Sequence, residues 1–214
     1  MARTRATPAT EKAAKPGTAD AAKMLALMEA AEDIFLAKGY HTATMSDVAK
    51  AAGMSKKTVY QLIGSKADLF ADLLAHYQSR LVFPTPAPGA AAESILIDNL
   101  TCLAKFLLSP QQIAIIRLIM AEYTHSPDLG RGFHQNRFKK AKSKLETCLS
   151  DFALREGMEF ENLSEMSAML FGMAIGEYHI GVLIGFRPAP SKAMLENRVR
   201  HAVEVFLTGC GRGR

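Results

Sequence analysis

The sequence predicts an all-α chain: an N-terminal three-helix unit of helix-turn-helix form, then a C-terminal helical bundle. Three observations predict it. Apolar residues recur at helical spacing between the breaks, and no stretch sustains the two-residue alternation of a strand. Caps and stops punctuate that pattern at helix-length intervals. Trp is absent and aromatics make up only 7% of the 214 residues, while Ala, Leu and Met are plentiful, a bias toward helix.

Residues 1–19 carry Arg3, Arg5, Lys12 and Lys15 against Glu11, with no large apolar side chain after Met1, so they read as a disordered basic arm. Arg3 and Arg5 suit a minor groove or plain solubility equally. Residues 20–83 form the first folded unit. Its opening helix places Met24, Leu27, Met28, Ala31, Ile34 and Phe35 on one face, and Gly39 stops it. Thr44 to Asp47 has the form of a capping box. The short helix that it opens has Met45, Val48, Ala49 and Ala52 as its apolar stripe and ends at Gly53. Ser55 caps a second short helix, with Val59 and Leu62 or Ile63 facing inward and Gly64 beyond its end. Ser65 to Asp68 is another capping box, opening a helix with Leu69, Phe70, Leu73, Leu74, Tyr77 and Leu81 on its inner face.

Pro84, Pro86 and Pro88 cannot continue a helix, so residues 84–90 read as a linker. Residues 91–210 follow as a bundle of five helices. Ser109-Pro110 and Ser126-Pro127 each set a Ser cap before a Pro at the first helical position, Asn162 to Glu165 is a further cap pair, and Gly157 and Gly185 are stops. Pro188 and Pro190 mark a last break.

Two short helices joined through Gly53 are the elements of a helix-turn-helix: the turn needs a residue that tolerates positive φ. The second of them opens with Ser55, Lys56, Lys57 and Thr58, and its amide end carries the positive pole of the helix dipole. Two lysines and a threonine there suit phosphates and base edges in a major groove. The net charge of +5 agrees with an anionic partner. The acid-free run of Arg131, Arg137, Lys139, Lys140, Lys142 and Lys144 reads as one solvated helix face.

Other chemistries find little support. Cys102, Cys148 and Cys210 are odd in number and form no C-x-x-C, so neither a disulfide framework nor a zinc site is expected, and the expected compartment is a reducing cytoplasm. No membrane span is expected, since the most apolar run, Phe171 to Phe186, holds Glu177 and His179. The nucleotide-binding, serine-hydrolase and metalloprotease motifs are absent and no two histidines stand four apart, so no catalytic group, metal or cofactor is expected.

Residues 25–72 resemble the DNA-binding domain of TetR-family transcriptional regulators. The matching elements are Phe35, Lys38, Gly39 and Tyr40, then Thr44, Asp47, Val48, Ala49, Ala52 and Gly53. Ser55, Lys56, Thr58, Val59 and Tyr60 follow, and then Ser65, Lys66, Leu69 and Phe70. The run Arg117 to Glu122, with Ser126 to Leu129, is similar to the C-terminal domain of many such regulators. The resemblance implies that Thr44 and Ser46 touch phosphates, and that Ser55, Lys56, Lys57 and Thr58 belong to a recognition helix facing the groove. It implies that Tyr60 bonds a phosphate and that Lys66 anchors the backbone from the far side. Gln61 is a further candidate for reading an adenine. The run after Tyr60 departs from the family's aromatic pattern: Leu62 stands where a polar phosphate contact is often made.

The resemblance further implies a homodimer on a pseudo-palindromic double-stranded operator, and an effector held in the C-terminal bundle. The last two helices would pair the subunits, with Gly172, Gly176, Gly181, Val199 and Phe206 as candidate interface residues; the glycines serve an intrachain neighbour equally well. Phe106, Arg117, Met120, Tyr123, Phe152, Met169, Met173 and Glu177 are candidates to line an apolar effector pocket, joined by Met166, Tyr178, Glu122 and His179. The apolar ones fit an ordinary core as well, and Arg117 fits a buried pair with Glu122 or Glu177. The resulting expectation is a repressor released from its operator by a small, largely apolar effector. The rival is a helix-turn-helix-shaped protein that binds another protein, or DNA without sequence preference.

Overall fold

The computed structural model describes residues 18–126, 129 and 139–210, and among these every regular element is a helix. Helix α1 spans Thr18–Lys38, α2 Met45–Ala51, α3 Lys56–Leu62 and α4 Lys66–Ser79. After the linker come α5 (Ala92–Leu107), α6 (Pro110–Glu122) and α7 (Lys139–Glu156). Helix α8, Leu163–Leu183, winds as a π turn over Gly172–Gly176, and α9 covers Lys192–Cys210. The basic arm lies outside the described residues except for its end, where α1 begins at Thr18. Pro127 of the expected Ser126 cap, and Arg131 and Arg137 of the basic run, also lie outside them.

The punctuation acts as expected. Gly39, Gly53, Gly157 and Gly185 all have positive φ at helix ends. Thr44 forms a full capping box with Asp47, while Ser65 accepts from the Asp68 amide. Ser109 and Asn162 cap α6 and α8, with Pro110 at the first helical position of α6.

Two cores result. The first gathers Leu27, Ala31 and Phe35 of α1, Val48 and Ala49 of α2, Val59 of α3, and Leu69, Phe70, Leu73, Leu74 and Tyr77 of α4. Phe35, Tyr40 and Phe70 meet there with ring centroids 5.1–5.7 Å apart. The second lies inside the bundle, among Leu96, Leu100 and Leu103 of α5, Leu149 of α7, Leu170 and Ile175 of α8, and Val199 and Val203 of α9. Helix α6 serves both: Ile115, Leu118 and Ile119 close the first core, Ile113 and Ile116 the second. Leu81 departs from its expected place. Helix α4 ends at Ser79, and Leu81 packs in the second core instead. Helix α8 is long and apolar enough to cross a bilayer by length and composition. Here Leu170, Ala174, Ile175, Val182 and Leu183 are buried in the bundle.

Candidate nucleic-acid interface

The site is assembled from α2, the turn after it, α3 and the start of α4. Thr44 begins it. Its hydroxyl accepts from the Asp47 amide at 3.1 Å and donates to Asp47 Oδ2 at 2.7 Å, and its own amide donates to Oδ2 at 3.0 Å. Lys38, at the end of α1, donates to Asp47 Oδ1 at 2.7 Å. The Lys38 ammonium and then the Thr44 bonds hold the Asp47 carboxyl far below its ordinary range. This pins the start of α2 to the end of α1.

Gly53, at φ +65°, turns the chain from α2 to α3, and Met54 N donates back to Ala49 O at 2.9 Å. Ser55 then caps α3, accepting from the Thr58 amide at 3.1 Å, with the two hydroxyls 2.9 Å apart. Val59 and Ile63 are buried beneath α3. On its outer side Ser55, Lys56, Lys57, Tyr60 and Gln61 are exposed, Tyr60 by 54%. Among the described residues neither Lys56 nor Lys57 has an ion-pair partner, so both charges face outward at the positive end of the helix dipole. Thr58 is half-buried against the Ser55 cap, Thr44 is exposed and Ser46 is half-buried. Leu62 packs against the first core, so its position contributes packing where a phosphate contact is often made.

Lys66 is held within the chain. Its Nζ donates to Tyr40 O at 2.8 Å, Ala43 O at 2.9 Å and His41 O at 3.2 Å, and lies 4.5 Å from the Tyr40 ring centroid. An ammonium has three N–H donors, and main-chain carbonyls take all of them. Lys66 therefore braces the α1–α2 loop.

The expected effector pocket is not assembled. Met120, Tyr123 and Met169 are each more than half exposed. Arg117 pairs with neither glutamate; it donates to Val182 O at 2.7 Å and Leu183 O at 2.9 Å, capping the carbonyl end of α8. Glu177 is exposed and bridges Arg187 at 2.9 Å and Arg198 at 3.7 Å. Glu122 is buried against Gly39, and His179 has a buried, unpartnered Nε2 and a pKa lowered by burial. Phe106, Met166, Met173 and Tyr178 are half-buried around the bundle core. Phe152 alone among these candidates lines the cavity of about 550 Å³ between the linker, α5 and α7. Long-range packing of this kind leaves no mark in helical periodicity, so the linker wall was not legible in the sequence.

The expected interface residues also separate. Val199 and Phe206 are buried in the bundle, so they hold the subunit's own core. Gly172 is exposed and Gly176 half-buried, and a Cβ on either meets nothing within 4 Å. Gly181 is buried under the Arg187 stem, which a Cβ at that position would strike, so it serves an intrachain neighbour. The step from 176 to 181 turns about 140° around a helix, which takes Gly181 off the face of the other two. The exposed large apolar side chains along α8, its C-cap and α9 include Met169, Ile180, Ile184, Met194 and Val205, 46–63% accessible. Periodicity alone did not single these out.

Comparison with known proteins agrees with this architecture. Residues 27–73 match the profile of the bacterial regulatory proteins of the tetR family, and residues 94–210 match that of the AefR-like transcriptional repressor C-terminal domain. YdeS of Bacillus subtilis, an HTH-type transcriptional regulator, is 32% identical over 140 residues, 64% of this chain and 69% of its own length. A TetR-family regulator from Mesorhizobium loti superposes with TM-score 0.73 at 25% identity, covering 90% of this chain and 98% of that one. The flavonoid-responsive regulator FrrA gives 0.75 at 25% identity, covering 89% and 97%. The profiles together span both halves of the fold, and their N-terminal part carries the exposed, cap-started α3 described above. The chain is a helix-turn-helix DNA-binding transcriptional regulator and belongs to the TetR family.

Proposed function

We infer that the protein is a repressor that grips a palindromic operator as a homodimer in the cytoplasm and lets go when a small, largely apolar effector binds. The observation that carries this reading is the outer face of α3. Lys56 and Lys57 stand at its amide end with no ion-pair partner among the described residues, with exposed Tyr60 and Gln61 one turn further on, while Val59 fixes the helix from below. In this reading Ser55, Lys56, Lys57 and Thr58 enter the major groove, Gln61 borders it, and Thr44, Ser46 and Tyr60 meet phosphates. Lys66 takes no part in the contact, because its donors are spent.

The homodimer is supported by the apolar face of α8 and α9. Met169, Gly172 and Ile180 on α8, Ile184 at its C-cap, and Met194 and Val205 on α9 are exposed and available to a second copy in two-fold symmetry. FrrA is named for its response to flavonoids, and its likeness supports a largely apolar effector here.

Selection of bound fragments from random DNA tests the proposal. The expected result is one palindromic sequence with half-sites about 34–36 Å apart or a multiple of that. Recovery of fragments with no shared sequence would leave the rival reading, an interaction protein or a non-specific DNA binder.

A further inference from the structure

Lys38 is the last residue of α1 and reaches across to the start of α2. Its ammonium has three donors. One goes to Asp47 Oδ1 at 2.7 Å, and no acceptor among the described residues takes the other two. Its side chain is 45% exposed. Lys66, by contrast, spends its donors on the carbonyls of Tyr40, His41 and Ala43.

The root of Lys38 is fixed. Gly39 turns the chain at φ +81°, and its carbonyl accepts from the Ala43 amide at 3.2 Å, so the loop between α1 and α2 closes tightly. The Lys66 brace holds the same loop. Asp47 then draws the Lys38 side chain to the first turn of α2.

Both oxygens of the Asp47 carboxylate are occupied. Oδ1 takes Lys38, and Oδ2 takes the amide and the hydroxyl of Thr44 at 3.0 and 2.7 Å. The Lys38 and Thr44 bonds keep this carboxyl ionised, well below the usual carboxylate range. The Thr44 hydroxyl has one proton, and it is given to Oδ2. A phosphate set against Thr44 and Ser46 therefore needs its positive charge from a neighbour, and it meets the negative charge of Asp47 as well. Lys38 answers both needs, because its ammonium lies on that carboxylate and still has two donors to give.

We propose that Lys38 is a further DNA-contacting residue, its ammonium bridging Asp47 and a backbone phosphate at the start of α2. The proposal rests on the reading in which Thr44 and Ser46 face phosphates, and it adds a contact from α1 to those of α2 and α3.

Titration of the selected operator across a salt series tests it, with Lys38→Met and Lys38→Arg, each alone and with Asp47→Asn. Lys38→Met is expected to weaken binding at least tenfold at about 0.1 M salt and to flatten the slope of log K against log salt by about 0.9 per subunit. Lys38→Arg should keep the slope. The same flattening by Lys38→Met is expected on the Asp47→Asn background. A lysine that merely neutralises Asp47 would lose its effect there. One that merely supports the fold would lower the thermal midpoint and leave the slope alone. Should Asp47→Asn fail to fold by circular dichroism, operators with one neutral methylphosphonate per half-site decide. Neutralising the phosphate that Lys38 meets should cost the wild type affinity and cost Lys38→Met none, while neutralising any other should cost both alike. An unchanged slope in Lys38→Met, an effect lost on the Asp47→Asn background, or no such phosphate in the methylphosphonate series would overturn the proposal. Lys57→Ala on the same operator separates the two readings. A loss in Lys57→Ala with none in Lys38→Met sinks the Lys38 contact alone. Equal binding of operator and scrambled duplex by the wild type sinks the groove reading and the Lys38 contact with it.

Discussion

Lys57 and Lys66 carry the same charge and answer to different neighbours. Lys57 is exposed on α3 and has no ion-pair partner among the described residues, whereas Lys66 is held by three carbonyls and the Tyr40 ring. Removing Lys66 strands those carbonyls, so Lys66→Ala is expected to lower the stability of the helix-turn-helix unit by about 1.5–3 kcal/mol, read by urea unfolding. DNA affinity of the fraction still folded should change little. The Asp47 carboxyl gives a pH dependence of definite sign. Its folded pKa lies below the ordinary 3.8, so its contribution is present above that value and is lost as pH falls toward the folded one. The stability gap between wild type and Asp47→Asn should therefore narrow as the pH drops from about 6 to about 2.5 in acid-unfolding curves.

At the level of elements, short-range signals were legible and long-range ones were not. The Thr44 box, the Ser55 cap and the positive φ of Gly53 depend on residues a few positions apart, so α2, α3 and their turn were readable. The Lys66 brace joins residues far apart in sequence, and nothing local announces it. The same holds for Arg117 on the end of α8 and for the linker wall of the cavity. Gly39 shows both kinds of reason at once. It ends α1 at φ +81°, as a stop glycine should, and a Cβ there would also stand 2.6 Å from Glu122 Oε1 of α6. Gly39→Ala is therefore expected to cost stability through strain at positive φ and through the clash across the α1–α6 contact. Gly172→Ala, with nothing within 4 Å, should leave the thermal midpoint of the subunit unchanged by circular dichroism.

For the whole molecule, α6 is the element that belongs to both cores, and the linker joins α4 to the bundle. The two halves are thus one packed body rather than beads on a string. In the homodimer proposed above, pairing of two such bodies would rest on the exposed apolar side chains of α8 and α9. A charge at exposed Ile180 places an uncompensated carboxylate in that contact, so Ile180→Glu is expected to give monomers in light scattering while helicity is kept. Its operator affinity should fall with it, because a palindrome is read by two α3 helices at once.

The reading of α3 as the groove-facing helix is tested most directly by titrating the selected operator and a scrambled duplex across a salt series, with wild type and Lys57→Ala. For a dimer neutralising about 6–10 phosphates, log K should fall with log salt at a slope of about −5 to −9. The operator should win over the scrambled duplex, and Lys57→Ala should lose about 1–3 kcal/mol on the operator without losing its fold. Equal affinity for both duplexes, or Lys57→Ala binding like wild type, would contradict the account.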